Sequence, residues 1–423
     1  MNYQEAVEFI HSIPWANKKL GLDRIANLLA VMGDPQKHLK FIHVAGTNGK
    51  GSICEMTARI LEEAGYTVGV FVSPFIHRFN ERMQVNHHQI SDNELAEIVT
   101  RVREIAETLE DIPSMFEMVT ATAFQFYYNS KCDYVVLEVG MGGRLDATNV
   151  IDTPLVAAIA TIGFDHTAHL GNTIPEIAFE KAGIIKKGGK VVAYDQGDEA
   201  LAVFRKKSQE QDAELTIADF SKIEKTGEDE NYQYFRYKGS KVYSLPFMGY
   251  HQLKNASTVL EIMKILKDEG VSINDDIIEK GLKKARWPGR LEVMTKDPLF
   301  IVDGGHNPEG ARAAIDAIKD RYMGKEAVVI MGVTRGKDIR TVVEIVNEVA
   351  VSFVAIQAET SRAMPVDDLV GVLKEYNKPV VTSISIIEGI EAALGLQKDN
   401  QMVLAIGSLY TVGEIRRYFG KAE

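Results

Sequence analysis

Lys40-Phe41-Ile42-His43-Val44-Ala45-Gly46-Thr47-Asn48-Gly49-Lys50-Gly51-Ser52 decides the fold. Its first five residues form a short, largely apolar run that reads as a strand. Glycines then interrupt the run. A helical pattern follows to about Ala64, where Gly65 stops it. Residues 67–72 make a second β-branched strand that ends at Ser73-Pro74. Strand, glycine loop, helix and strand compose a βαβ unit. In such a unit the glycines let backbone N–H groups close around phosphate oxygens. Lys50 adds positive charge and the helix N-terminus adds its dipole. A hydroxyl beside the lysine, here Ser52, can meet the Mg2+ that travels with ATP. The match to G-x-x-x-x-G-K-[ST] is imperfect, because Gly51 separates Lys50 from Ser52 and no glycine stands at the pattern's first position. With a strand before it and a helix after it, the loop 46–52 is read as a nucleotide-phosphate site.

The same alternation continues outward. Upstream, residues 2–32 read as helix, proline-containing loop and helix, the second helix carrying Leu20, Leu22, Ile25, Leu28 and Leu29 at helical spacing. Downstream come helices at about 92–109, capped by Ser91, and 114–128, then a buried-type strand at 134–139. A strand at 156–162, a helix around 175–182 and a strand at 190–194 follow. Residues 214–248 alternate aromatic and polar side chains and read as a peripheral antiparallel hairpin set. A helix is expected at 253–269. Arg286-Trp287-Pro288-Gly289-Arg290 then breaks the pattern. A second α/β series has strands at 299–302, 327–333, 352–358, 380–384 and 402–406. Apolar strands alternating with helices predict an α/β protein. Its N-terminal domain, 1–295, is a doubly wound, mostly parallel sheet with the phosphate loop. Its smaller C-terminal domain, 296–423, is Rossmann-like.

In open α/β sheets, ligands sit at the carboxyl ends of the strands. Ser73, Glu138, Asp165 and His166 all fall at such ends. Hydroxyl, carboxylate and imidazole suit a divalent ion near phosphates, although Mg2+ prefers oxygen and one His ligand is unusual. Ser73 alone also reads as a strand-end cap, and His166 alone as a loop histidine. Glu138 is harder to dismiss, because burying an unpaired carboxylate is expensive. In the second series Asp303-Gly304-Gly305-His306-Asn307-Pro308 packs two glycines between two ionisable groups, before a Pro able to begin a helix.

Bulk properties bound the function. The chain has 423 residues, enough for two cores, and a formal net charge of −11. That acidity argues against nucleic-acid binding, which needs Lys and Arg to neutralise phosphates. The two cysteines, Cys54 and Cys132, cannot make a disulfide framework. No signal-peptide pattern and no apolar run of membrane-spanning length is present. A cytoplasmic monomer without membrane partners is expected.

The loop 43–52 closely resembles the phosphate loop of folylpolyglutamate synthases, within the Mur-ligase superfamily. The inserted glycine is a feature of the folate branch. Leu137-Glu138-Val139-Gly140-Met141-Gly142-Gly143-Arg144-Leu145-Asp146-Ala147-Thr148-Asn149 is similar to that family's E-x-G-x-G-G-x-x-D-A-T-N signature. Glu180-Lys181-Ala182-Gly183-Ile184, the D-G-G-H-N-P segment and Arg290 resemble further family motifs. The resemblance implies ATP bound by Gly46, Thr47, Asn48, Gly49, Lys50, Gly51, Ser52, Asn255, Arg290 and Asp303. It implies Mg2+ at Ser73, Glu138 and His166, a carbamylated Lys181 near the metal, and K+ as a further ion. Lys50, Lys181 and His306 become the catalytic candidates. Arg24, Phe75, Arg82 and Asp146 fall at the folate or dihydropteroate end, and His306 and Ser408 where L-glutamate is bound. The implied reaction is ATP-dependent addition of L-glutamate through an acyl phosphate, with the second domain closing over ATP. The rivals are a chain-extension-only enzyme, a cell-wall Mur ligase and a non-catalytic P-loop switch.

Overall fold

Eight strands make the large sheet: β1 (Phe41–Ala45), β2 (Val68–Phe71), β3 (Met83–Val85), β4 (His88–Gln89), β5 (Tyr134–Glu138), β6 (Val156–Ile159), β7 (Lys190–Tyr194) and β8 (Glu214–Ala218). Their order is β4-β3-β2-β5-β1-β6-β7-β8, with the β2–β3 and β3–β4 pairings antiparallel and the rest parallel. The computed structural model describes residues 1–14, 21–358, 360 and 362–421. Leu20, counted above in a helical pattern, lies outside them. Helices α1 (Tyr3–Ser12), α2 (Asp23–Val31), α3 (Lys50–Glu63), α4 (Asp92–Ala106), α5 (Met115–Asn129), α6 (Thr167–Leu170), α7 (Ile174–Ala182) and α8 (Asp198–Glu210) connect the strands. Every residue of β1, β2, β5 and β6 is buried, as strands covered on both faces must be. One core gathers Ile25, Leu28, Phe41, Phe71, Phe124 and Leu137, and another gathers Ile159, Ala182, Val191 and Phe204.

A separate three-stranded antiparallel sheet holds β9 (Ile223–Glu228), β10 (Gln233–Tyr237) and β11 (Tyr243–Leu245). The hairpin expectation was therefore too wide at its start. Residues 214–218 form β8, which extends the large sheet parallel to β7. Helices α9 (Tyr250–Asp268) and α10 (Asp275–Lys284) follow.

The second sheet comprises β12 (Glu292–Lys296), β13 (Leu299–Asp303), β14 (Glu326–Met331), β15 (Ala350–Ala355), β16 (Val380–Thr382) and β17 (Gln401–Ile406). Its order is β12-β13-β17-β14-β15-β16, and β12 alone is antiparallel. Helices α11 (Pro308–Arg321), α12 (Ile339–Val346), α13 (Val366–Lys374), α14 (Ile386–Leu396) and α15 (Leu409–Tyr418) alternate with these strands. Ile301, Ile315, Val329, Phe353 and Leu404 lie in its core. Backbone contacts divide the chain into two compact units. The first is 1–163, 167–246 and 254–285; the second is 164–166, 247–253 and 286–423. A domain boundary at 295/296 would cut β12 from its partner β13, so the division falls earlier, at 285/286. Among the described residues no helix is long and apolar enough to cross a membrane.

Candidate active site

β1 lies between β5 and β6, where the strand order reverses, and the phosphate loop leaves its carboxyl end. That is where a doubly wound sheet opens a crevice for ligands. The loop is tied to the end of β6. Thr47 N donates to Thr161 O at 2.6 Å, and the Thr47 hydroxyl exchanges bonds with Gly163 O and N at 3.1 and 3.0 Å. Gly49 holds φ +88°, and a Cβ there would fall 2.8 Å from Asn255 Oδ1. Only glycine permits both that backbone and that approach. Lys50 opens α3 and curls back, its ammonium donating to Gly46 O at 3.0 Å and Thr47 O at 3.2 Å. Lys181, buried near the C-terminal end of α7, donates to the same Gly46 carbonyl at 2.9 Å. Gly51 and Ser52 are buried in the first turn of α3.

β2 and β5 are adjacent, so Ser73 and Glu138 meet at one sheet edge, and Ser73 N donates to Glu138 Oε2 at 3.0 Å. Both supply the hard oxygen that Mg2+ prefers. His166 belongs to the second unit and holds φ +52°, a left-handed backbone uncommon outside glycine.

The loop after Glu138 is held at several points. Asp146 Oδ2 accepts from Met141 N at 2.9 Å, and Oδ1 accepts from Thr148 N at 3.1 Å and from the Thr148 hydroxyl at 2.5 Å. Burial raises the Asp146 pKa, with those hydrogen bonds opposing it. Arg144 pairs with Glu180, and Asn149 Nδ2 donates to Arg144 O and Gly183 O, both at 3.1 Å. The loop is thereby fastened to the end of α7 beside Lys181.

The remaining folate-end candidates are engaged with their neighbours. Arg24 Nε donates to Glu117 Oε2 at 3.1 Å in a buried pair. The Arg82 guanidinium lies over the rings of Phe75 and Phe79, 5.2 and 5.6 Å from their centroids. Glu81 shapes that loop by accepting from the amides of Ile76, His77 and Arg78.

The second unit carries its own cluster at the carboxyl ends of the paired strands β13 and β17. Asp303 accepts from Leu291 N at 2.9 Å and Gly305 N at 2.7 Å. Burial raises its pKa, while Arg290 opposes the shift. A Cβ at Gly304 would fall 2.3 Å from Leu409 Cδ2 and 2.5 Å from Arg290 Nη1, so the glycine makes room for the guanidinium. A Cβ at Gly305 would press to 2.8 Å on Asp303 Oδ1. His306 places Nδ1 3.0 Å from Gly304 O and Nε2 3.1 Å from Asp165 Oδ2. Asp165 also pairs with Lys337. Burial would raise the Asp165 pKa, but the His306 hydrogen bond and the His306, His166 and Lys337 charges hold it low. Ser408 is the N-cap of α15, its hydroxyl accepting from Tyr410 N at 3.2 Å.

Residues 44–263 match the Mur ligase middle domain, and 289–409 the Mur ligase glutamate ligase domain. The dihydrofolate synthase/folylpolyglutamate synthase of Bacillus subtilis (strain 168) is 36% identical over 98% of each chain. The chain belongs to the folylpolyglutamate/dihydrofolate synthase family of Mur ligases. It is an ATP-dependent ligase. The folylpolyglutamate synthase of Lacticaseibacillus casei is 34% identical, over 99% of this chain and 98% of its own. Mycobacterium tuberculosis folylpolyglutamate synthase, solved with ADP and AMPPCP, superimposes with a TM-score of 0.90 at 29% identity, over 99% of this chain and 98% of that one. Each motif quoted from the sequence lies at a strand end, in a loop or at a helix terminus. Sequence reasoning passed over Lys337, Glu309, His43 and Thr148. Glu309 accepts from Phe164 N at 3.3 Å. Lys337 follows a glycine in a loop and reads as a solvated turn. His43 sits inside an apolar strand with nothing to mark its partner 105 positions away.

Proposed function

We propose that this chain is a bifunctional synthase, adding L-glutamate both to dihydropteroate and to tetrahydrofolates. The observation that carries this reading is the loop 138–149. Its folate-branch sequence is fastened to β1, to α7 and to itself at the edge that bears the phosphate loop. The full-length likeness to a relative named for both activities supports it.

The chemistry proposed is acyl activation. A carboxylate oxygen of the pterin acid attacks the γ-phosphorus of ATP, and ADP leaves. The glutamate amine then attacks the acyl carbon, losing a proton as phosphate departs. Such a reaction needs charge stabilisation and positioning rather than a protein nucleophile. Lys50 is the phosphate ligand, released from Gly46 O and Thr47 O when phosphate oxygens replace those carbonyls. Asn255 stands against Gly49 of the loop, and Arg290 and Asp303 are further ATP-binding residues. Ser73, Glu138 and His166 would hold Mg2+, which neutralises phosphate charge when bound. Lys181 is the residue proposed to carry a carbamate, and K+ is proposed as a further ion. Arg24, Phe75, Arg82 and Asp146 frame the pterin acid. His306 and Ser408 receive L-glutamate. The compartment proposed is the cytoplasm, and the form a monomer.

Phosphate release from Mg-ATP and L-glutamate tests the reading, first without a pterin acid, then with dihydropteroate, then with tetrahydrofolate. Stimulation by both acids is expected. Stimulation by tetrahydrofolate alone would reduce the enzyme to chain extension.

A further inference from the structure

We infer that His43 and Thr148 are positioning residues for the pterin-acid end of the site, acting through Asp146; this rests on the folate reading above. The three side chains form one buried chain. His43 Nε2 lies 2.9 Å from Thr148 Oγ1, and Thr148 Oγ1 lies 2.5 Å from Asp146 Oδ1. His43 and Thr148 are fully buried, and Asp146 is 8% exposed. His43 stands on β1 three residues before Gly46, so the chain joins the phosphate-loop strand to the loop that follows Glu138.

Proton accounting fixes its direction. Thr148 has one hydroxyl proton. The carboxylate of Asp146 also faces the amides of Met141 and Thr148, which can only donate. It is therefore an acceptor, and 2.5 Å suits an O–H···O⁻ bond. The Thr148 proton points to Asp146, so Thr148 must accept from His43, and His43 carries its hydrogen on Nε2. Its Nδ1 is left bare, and that buried atom has no hydrogen-bond partner. The opposite tautomer would bury an N–H donor with no acceptor. Burial, reinforced by Lys186, pushes the His43 pKa down to about 3, so the ring stays neutral and only its tautomer is open.

The consequence falls on Asp146. Burial raises the Asp146 pKa, and the Thr148 hydroxyl is the largest of the contributions that oppose the rise. A pterin presents adjacent N–H donors, and a carboxyl group accepts them only when its plane is turned towards them. His43 orients Thr148, Thr148 holds the rotamer of Asp146, and neither touches substrate.

Steady-state phosphate release by the full chain tests this, with Thr148→Val and His43→Phe against the conservative Thr148→Ser and His43→Gln. The first pair should raise KM for dihydropteroate about tenfold while KM for ATP stays within about twofold. The second pair should stay within about threefold of wild type, because Ser keeps the hydroxyl and Gln keeps a donor near Nε2. An unchanged dihydropteroate KM in folded Thr148→Val would overturn the inference, and so would equal rises in all three substrate KMs. Ring 15N NMR of the wild-type chain is the independent check: protonated Nε2 with bare Nδ1 is expected, and the reversed tautomer refutes the chain. If wild type releases no phosphate with any pterin acid, the folate reading fails, while the tautomer result still stands or falls alone.

Discussion

The ammonium of Lys181 donates to the main-chain carbonyl of Gly46 at 2.9 Å, across 135 residues of sequence. Lys50 donates to the same oxygen. One glycine carbonyl thus gathers two cations under the phosphate loop, and a buried ammonium is tolerated only where it is well satisfied. Lys181→Met keeps the length and apolar stem but removes the amine, and with it both the bond to Gly46 O and the proposed carbamate. The variant should fold, since Met adapts to core gaps. Its kcat should fall by about 100-fold or more, as when a preorganised charge-stabilising group is lost. Phosphate release under saturating substrates is the measurement, and a kcat near wild type would reduce Lys181 to a packing residue.

The strap between the loop 140–149 and α7 separates two kinds of contact. Arg144 and Glu180 form a well-aligned ion pair, but the side chains are 44% and 20% exposed. Such a pair contributes about 0–1 kcal/mol. Gly183, by contrast, has Arg144 Cα only 2.3 Å from where its own Cβ would stand. Arg144→Ala should therefore leave urea stability within about 1 kcal/mol of wild type. Gly183→Ala should cost about 1–3 kcal/mol through overpacking and lower kcat as Lys181 shifts. Equal effects from the two substitutions would contradict this assignment.

The difference between these two residues shows what the sequence could and could not disclose. The loop 46–52 was legible because a strand, glycines, a lysine and a helix follow one another within a few positions. The parallel sheet was legible because its strands are uninterrupted apolar runs. β8 was misread as part of a hairpin set because periodicity does not say whether a short strand pairs with its neighbour or joins an earlier sheet. β12 was missed for a related reason: Glu292 and Lys296 end a strand whose inner face carries little apolar signal. The clearance at Gly183, the His43–Thr148 bond and the Lys337–Asp165 pair are long-range contacts between residues that look ordinary in isolation.

Gly304→Ala tests the second unit. Its Cβ would compete with Arg290 Nη1 and with the Leu409 side chain. Both neighbours are side-chain ends, so the methyl is relieved only by moving Leu409, the Arg290 guanidinium or both. If Arg290 contacts ATP, KM for ATP should rise about tenfold, with dihydropteroate KM changing far less. Titrating ATP at fixed glutamate and pterin acid distinguishes the two.

A final prediction concerns pH and lies away from the chemistry. Asn86 and His87 form a two-residue hairpin turn between β3 and β4, both with positive φ. The turn sets His87 between two carboxylates of α3: Nδ1 is 2.6 Å from Glu62 Oε1 and Nε2 is 2.7 Å from Glu55 Oε2. Arg59 pairs with both glutamates from the same helix. Burial lowers the His87 pKa, but the hydrogen bonds and charges of Glu55 and Glu62 outweigh it, and the net shift is upward from 6.5. A group whose folded pKa exceeds its unfolded value binds its proton more tightly in the native state. Its contribution to stability is therefore complete below the unfolded pKa and is lost as pH rises through the folded value. His87→Gln keeps hydrogen-bonding capacity without the titration. Urea unfolding should show the stability gap between wild type and this variant largest near about pH 6 and smallest near about pH 9. A gap independent of pH would mean that His87 holds the hairpin to α3 by packing alone, with no contribution from its charge.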